Sequence, residues 1–238
     1  MKHLRRQTRF VSAAMVLALG LAACSGDDAA TTQPTTTSTV MSETATGDAM
    51  AATAGGPSSA ASTLRATLTA ALQEHVYLAG IAVVTGVDHG LDSPQFEAAA
   101  GALDANSVAL SEVIGSVYGQ EAADAFLPLW RNHIGFFVDY TAAKATGDDG
   151  AAEQARADLE QYRADFGAFL GGANPNLPAE AVAAELVPHV HTLFDAIDAV
   201  LGDGTDPFAA LRTAAGVMAG TAETLANGIA AQFPERFN

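Results

Sequence analysis

Three histidines at regular intervals are the residues of this chain best suited to chemistry. His75, His133 and His189 are separated by 58 and 56 positions. Each lies in an apolar pattern of helical spacing, so its side chain would face a core and not the solvent. Burial favours the neutral imidazole, which is also the form that binds metal ions. If the three rings meet, they could hold zinc, copper, iron or a haem.

Polar residues near these histidines could hold the rings in place. Asn106 and Tyr162 occupy equivalent positions on two other predicted helices, and Glu74 directly precedes His75. Hydrogen bonds from such groups orient metal-bound imidazoles. The same residues also allow a second interpretation, in which the histidines form a hydrogen-bonded polar layer without any ligand. The sequence favours this second interpretation, because it contains no compact ligand motif such as His-Glu-Xaa-Xaa-His.

Apolar residues recur at helical spacing from about residue 62 onwards, which predicts six helices. Breaks between them are expected at residues 86–93, 119–120, 147–150, 171–177 and 202–207, where Gly, Pro, Asn and Asp concentrate. No run of strand length alternates between apolar and polar residues, so no sheet is expected. Because the connections are short, the pattern predicts an all-α domain over residues 61–238, a six-helix bundle of three antiparallel helical hairpins.

The six predicted helices also suggest an internal repeat. The first, third and fifth helices each carry one of the three histidines on the apolar face. The even-numbered helices align through the triplets Leu103-Asn106-Leu110, Leu159-Tyr162-Phe166 and Leu211-Ala214-Met218. Three copies of one hairpin would bring the histidines to matching heights. Pro128 and Pro188 precede two of them, and an internal proline would bend the helix there.

The third predicted helix is unusually rich in large side chains. Trp130, Phe136, Phe137 and Tyr140 all lie within it, together with His133. Such a cluster could line a ligand pocket, but it is typical of the centre of a hydrophobic core. We therefore expect these aromatic residues to be core.

The N-terminus predicts export and lipid anchoring. Four basic residues precede an apolar run from Phe10 to Ala23, which is typical of a signal peptide over residues 1–23. The run ends in Leu21-Ala22-Ala23-Cys24, which resembles the lipobox of bacterial lipoproteins. The resemblance implies removal of residues 1–23, diacylation of Cys24 and an anchor on the extracytoplasmic face of the cell membrane. Cys24 is the only cysteine, so an intramolecular disulfide is excluded.

Residues 24–60 are rich in Ala, Thr, Ser and Gly and contain no aromatic side chain. Such a segment buries too little apolar surface to offset its ordering entropy, which predicts a disordered tether. Removal of the signal peptide would take the net charge from −16 to −20, because the peptide holds four basic residues and no acidic one. This charge argues against nucleic acid as a partner.

Four segments carry a resemblance to a known family: residues 73–76, 129–140, 173–178 and 232–237. They resemble exported helical proteins of Gram-positive bacteria, some of which are labelled copper amine oxidases. The chain is too short for such an oxidase and lacks the Asn-Tyr-Asp/Glu sequence that supplies its quinone cofactor. Nucleophile elbows, phosphate loops and dinucleotide fingerprints are also missing from the sequence. We therefore expect a membrane-anchored binding or structural lipoprotein, with a metal- or haem-binding protein as the alternative.

Overall fold

The computed structural model describes residues 59–237, and within this range the chain is helical without strands. The prediction of an all-α domain is confirmed. The described helices are α1 Ala60–His89, α2 Pro94–Tyr118, α3 Gln120–Thr146, α4 Asp149–Ala173, α5 Ala179–Glu185, α6 Val187–Val200, α7 Pro207–Gln232 and α8 Pro234–Phe237. The predicted signal peptide, the lipidation site Cys24 and the tether up to residue 58 lie outside the described residues.

Short polar side chains fix where the helices begin. Such caps satisfy backbone N–H groups that have no partner within the helix. The N-cap residues that accept these hydrogen bonds are Ser59, Ser93, Asp148 and Asp206. Pro94 and Pro207 follow two of the caps in the first turn, where a missing N–H has no cost. The break signals read from the sequence therefore have a direct structural cause.

The prediction of a single fifth helix is wrong. The chain forms α5 and α6 there, separated by Leu186, which has φ −81° and ψ −10°. Pro188 is the physical reason, because it has no N–H to donate to the preceding turn and is best accommodated in the first turn of a helix. The break leaves His189 in the first turn of α6. The short helix α8 is also absent from the prediction, and α1 continues to His89, beyond its predicted end.

Helix α1 is central to the packing. It contacts α2 and α7 along its length and also meets α3 and α6. Its buried residues, which include Leu68, Leu72 and Val76, face these neighbours. Within the described range α1 alone has the length and mean hydropathy (1.3) of a possible membrane span, a test that core helices near an N-terminus also pass.

The core consists of two apolar clusters. The larger one includes Leu68, Trp130 and Tyr162, and the smaller one includes Phe137 and Leu193. His133 contacts Trp130 and Tyr162 on one side and Phe137 on the other. The histidines thus lie where the two clusters meet, shielded from water on both sides.

Candidate metal centre

The three predicted histidines converge from α1, α3 and α6. His75, His133 and His189 are 1%, 1% and 3% exposed. The Nε2 atoms of His75 and His133 are 3.3 Å apart. One ring nitrogen of each histidine lies within 4.8 Å of one ring nitrogen of each of the others. Residues 114 positions apart in sequence therefore form one compact group of imidazoles.

The spacing of the group is close to that of a metal site. Two nitrogens bound tetrahedrally to one zinc ion at about 2.05 Å are themselves about 3.3 Å apart. The separation between His75 and His133 has this value. Other separations in the group extend to 4.8 Å, so the rings would have to draw together around an ion.

All three histidines are neutral at pH 7. Burial lowers the pKa of His75 to about 3, and the charge that His189 would carry adds to the effect. Burial also lowers the pKa of His189 to about 4. The pKa of His133 falls well below its ordinary value, again chiefly through burial and then through the other two histidines. Each ring therefore keeps one nitrogen lone pair available to a metal ion.

Asn106 of α2 lies beside His75. Its amide nitrogen donates to the backbone oxygen of Ala71 at 3.0 Å and to Glu74 at 2.9 Å. The side chain of Asn106 raises the pKa of His75, which burial lowers. Asn106 Oδ1 and His75 Nδ1 are both buried without a hydrogen-bond partner. Because Nε2 of His75 faces His133, Nδ1 is the ring nitrogen left for the amide oxygen.

The other two predicted supporting residues act differently from each other. Glu74 is exposed and reaches the site only through its hydrogen bond with Asn106. Tyr162 stacks on His133 with ring centroids 4.6 Å apart and an angle of 21° between the planes. Burial raises the pKa of Tyr162 well above its ordinary value, so the phenol is neutral. It packs against the imidazole and adds no charge.

Sequence reasoning missed two residues that border the site. Trp130, expected to be core, is core and also contacts both His75 and His133, with centroid distances of 4.9 and 4.7 Å. Met218 is 1% exposed and lines a small cavity with His133 and His189. Its alignment with Leu110 and Phe166 was a sequence signal for its position. His191, two residues from His189, is exposed.

Comparisons of the chain with protein-family models, with curated proteins and with solved structures returned no match. Its function is therefore inferred from the chemistry of the residues at the histidine group.

Proposed function

We propose that this domain binds one transition-metal ion through His75, His133 and His189. The close approach of two buried, neutral imidazole nitrogens, at 3.3 Å, carries the proposal. If both Nε2 atoms hold lone pairs, they repel each other unless a cation lies between them. A metal ion bound by both nitrogens and by His189 removes that repulsion.

A hydrogen bond between His75 and His133 is the alternative, and the surroundings of the rings argue against it. In that arrangement one ring donates from Nε2, so its Nδ1 has to be a bare acceptor. Acceptors beside both rings, the side chain of Asn106 and the backbone of Trp130, raise the pKa values of His75 and His133. Such acceptors favour an N–H on the ring side that faces them, and hence a lone pair on Nε2. Neither acceptor forms a hydrogen bond with Nδ1, so they favour metal binding through proximity alone.

The donor set is suited best to monovalent copper. The group offers neutral imidazoles, and the described acidic residue nearest in sequence, Glu74, is exposed and engaged with Asn106. Burying a charge is costly, so a singly charged ion fits this apolar site better than a doubly charged one. The thioether of Met218 borders the same space, and thioethers select copper in this state.

Haem fits the arrangement poorly. The rings of His75 and His133 are in direct contact, with centroids 5.3 Å apart. Trp130 and Tyr162 pack against them from other directions. A macrocycle could reach either nitrogen only by displacing these side chains from the core.

Metal titration of protein purified without a histidine tag tests the proposal. Copper under reducing conditions, zinc and cobalt should be compared, with one ion per chain expected and copper bound most tightly. His133→Leu should abolish stoichiometric binding, because it removes one of the three ligands and replaces it with an apolar side chain. His191→Leu is the matched control and should bind normally, because that ring is exposed. Equal metal content in the wild type and in His133→Leu would refute the site.

We also propose that the domain is a lipoprotein held on the extracytoplasmic face of the membrane through Cys24. The lipobox resemblance and the acidic chain, with its net charge of −16, support an exported protein that does not bind nucleic acid. Cys24→Ser should move the protein from the membrane fraction to the soluble fraction. Retention of the variant in the membrane fraction would contradict the anchor.

The repeat of three helical hairpins is part of the same proposal. It would pair α1 with α2, α3 with α4, and the α5–α6 segment with α7, and each of these pairs is in contact. The ligands then occupy equivalent positions in the three units. Such an origin would explain why one imidazole comes from each hairpin.

A further inference from the structure

An apolar cavity of about 300 Å³ leads to the histidine group. Residues of α1, α2 and α3, together with Leu193 of α6, line it. His75 and His133 form part of its wall. Val87 and Leu91 also line it and are 38% and 48% exposed, so they mark the side that faces solvent. The cavity therefore connects the surface with the histidines.

Four side chains that carry a polar atom line the cavity: His75, His133, Thr141 and Thr146. Thr141 donates its hydroxyl to the backbone oxygen of Phe137 at 2.8 Å, and Thr146 donates to that of Ala142 at 2.9 Å. Both hydroxyl hydrogens are thus engaged within α3. A ligand in this cavity would therefore meet mainly hydrocarbon, and the two imidazoles are the polar side chains whose hydrogen-bonding capacity α3 does not already use.

The size and charge of the cavity restrict the ligand further. An apolar protein cavity of about 150 Å³ binds benzene, so one of twice that volume holds a chain of roughly eight carbons. No ionisable side chain other than the two histidines lines it, so an ionised ligand would be buried without a countercharge. An uncharged molecule suits the site best.

We propose that this cavity binds an uncharged, mainly apolar molecule of about eight carbons, with one hydroxyl or carbonyl group that contacts His75 and His133. The inference goes beyond the proposed function, because the imidazole nitrogens can hydrogen-bond to a hydroxyl group when no ion is bound. If the proposed ion were bound, the ligand's oxygen would be a further donor group available to it.

Binding of octan-1-ol and 1-fluorooctane, measured by NMR titration, tests the proposal. The two probes have similar shapes, but only the alcohol forms strong hydrogen bonds. On chelator-treated protein, we expect the alcohol to bind about tenfold more tightly. Equal affinity would overturn the assignment of the polar head to the histidines, and failure of both probes to bind would overturn the site.

Cavity-filling variants locate the probe. Ala82→Leu on α1 and Ala142→Leu on α3 each place a larger side chain in the cavity and should weaken octanol binding at least tenfold. Ala102→Leu is the control, because Ala102 is exposed on α2 and does not line the cavity. Circular dichroism checks that each variant folds. Because the two filled positions lie on different helices, the test can be made if only one of these variants folds. Unchanged binding in a folded filler variant would overturn the proposal.

Metal content, measured on the same samples, separates this inference from the proposed function. A protein that takes up no metal but binds octanol in the wild type and not in the fillers would refute the metal site and support the cavity. A protein that binds metal but not octanol would support the metal site and refute the cavity as a ligand site.

Discussion

Nε2 of His75 and Nε2 of His133 lie 3.3 Å apart, although 58 positions separate the two residues. Helices α1 and α3 are not neighbours in sequence, and α2 connects them. Asn106 of α2 lies beside His75, while Tyr162 of α4 stacks on His133. Residues of four helices therefore surround the two rings.

Asn106→Leu should weaken metal binding about 10- to 100-fold, the usual effect of losing a residue that orients a metal-bound histidine. The leucine keeps most of the volume but leaves Nδ1 of His75 without the amide oxygen. Ser107→Ala is the matched control, because Ser107 is also buried on α2 but donates to the backbone oxygen of Leu103. Isothermal titration with copper under reducing conditions would measure both. An Asn106 variant that binds as tightly as Ser107→Ala would contradict the orienting role.

The free energy of unfolding of the metal-free protein should fall as the pH drops below about 6.5. The unfolded chain protonates its histidines near pH 6.5, whereas the folded chain resists until about pH 4 at His189 and about pH 3 at His75. The contribution of the buried histidines to the free energy of unfolding is therefore fully present above pH 6.5. It is lost as the pH falls, because protons bind to the unfolded state first. At pH 5 the loss is about 2 kcal/mol for each buried histidine.

Urea unfolding at several pH values would measure this dependence. In His189→Leu, about one proton fewer should be taken up on unfolding between pH 6.5 and 5, because one of the buried rings is gone. The free energy of unfolding should therefore depend less steeply on pH. His191→Leu should leave it unchanged, because that ring is exposed in the folded protein. A flat profile between pH 7 and 5 would show that the rings are not buried as neutral groups.

The sequence was sufficient for most of the helices and for the burial of the three histidines. Leu64, Leu68, Leu72 and His75 repeat at helical spacing, and all four are buried on α1. Spacings of 58 and 56 positions marked the histidines as equivalent. Periodicity shows which face of a helix is buried, and that is enough to place an imidazole in a core.

Periodicity does not show what a buried side chain meets. Phe208 continues the apolar pattern of its helix but is 74% exposed, in the first turn of α7. Ala79 and Ala82 matched the apolar pattern, but their small side chains leave space for a cavity instead of filling the core. Met218 reached the histidines through the packing of α7, which no local pattern encodes. Contacts between helices decide all three cases.

Tyr140→Phe should destabilise the fold by about 1–2 kcal/mol, since it leaves polar partners unsatisfied. The hydroxyl donates to Asp198 at 2.9 Å and accepts a hydrogen bond from Arg156. Burial, followed by the Asp198 carboxylate, raises the pKa of Tyr140 to about 12. Tyr77→Phe is the control and should change the stability by less than about 0.5 kcal/mol, because Tyr77 is 44% exposed. Equal unfolding midpoints for the two variants would contradict a role for this network.

Gly167→Ala should destabilise the domain by about 1–3 kcal/mol, the usual cost of overpacking. A Cβ atom at this position would lie 2.3 Å from the backbone oxygen of Ala179, at the start of α5. A backbone atom cannot rotate away, so α5 has to shift. Because α5 leads through Leu186 into the first turn of α6, the shift should also displace His189 and weaken metal binding.

Gly101→Ala is the control for this prediction. Gly101 lies within α2 with no atom within 4 Å of the new Cβ, so alanine should stabilise the helix by about 0.5–1 kcal/mol. Urea unfolding and copper titration on both variants would measure the two effects together. If Gly167→Ala lost stability but bound copper as the wild type does, the position of His189 would not depend on the contact between α4 and α5.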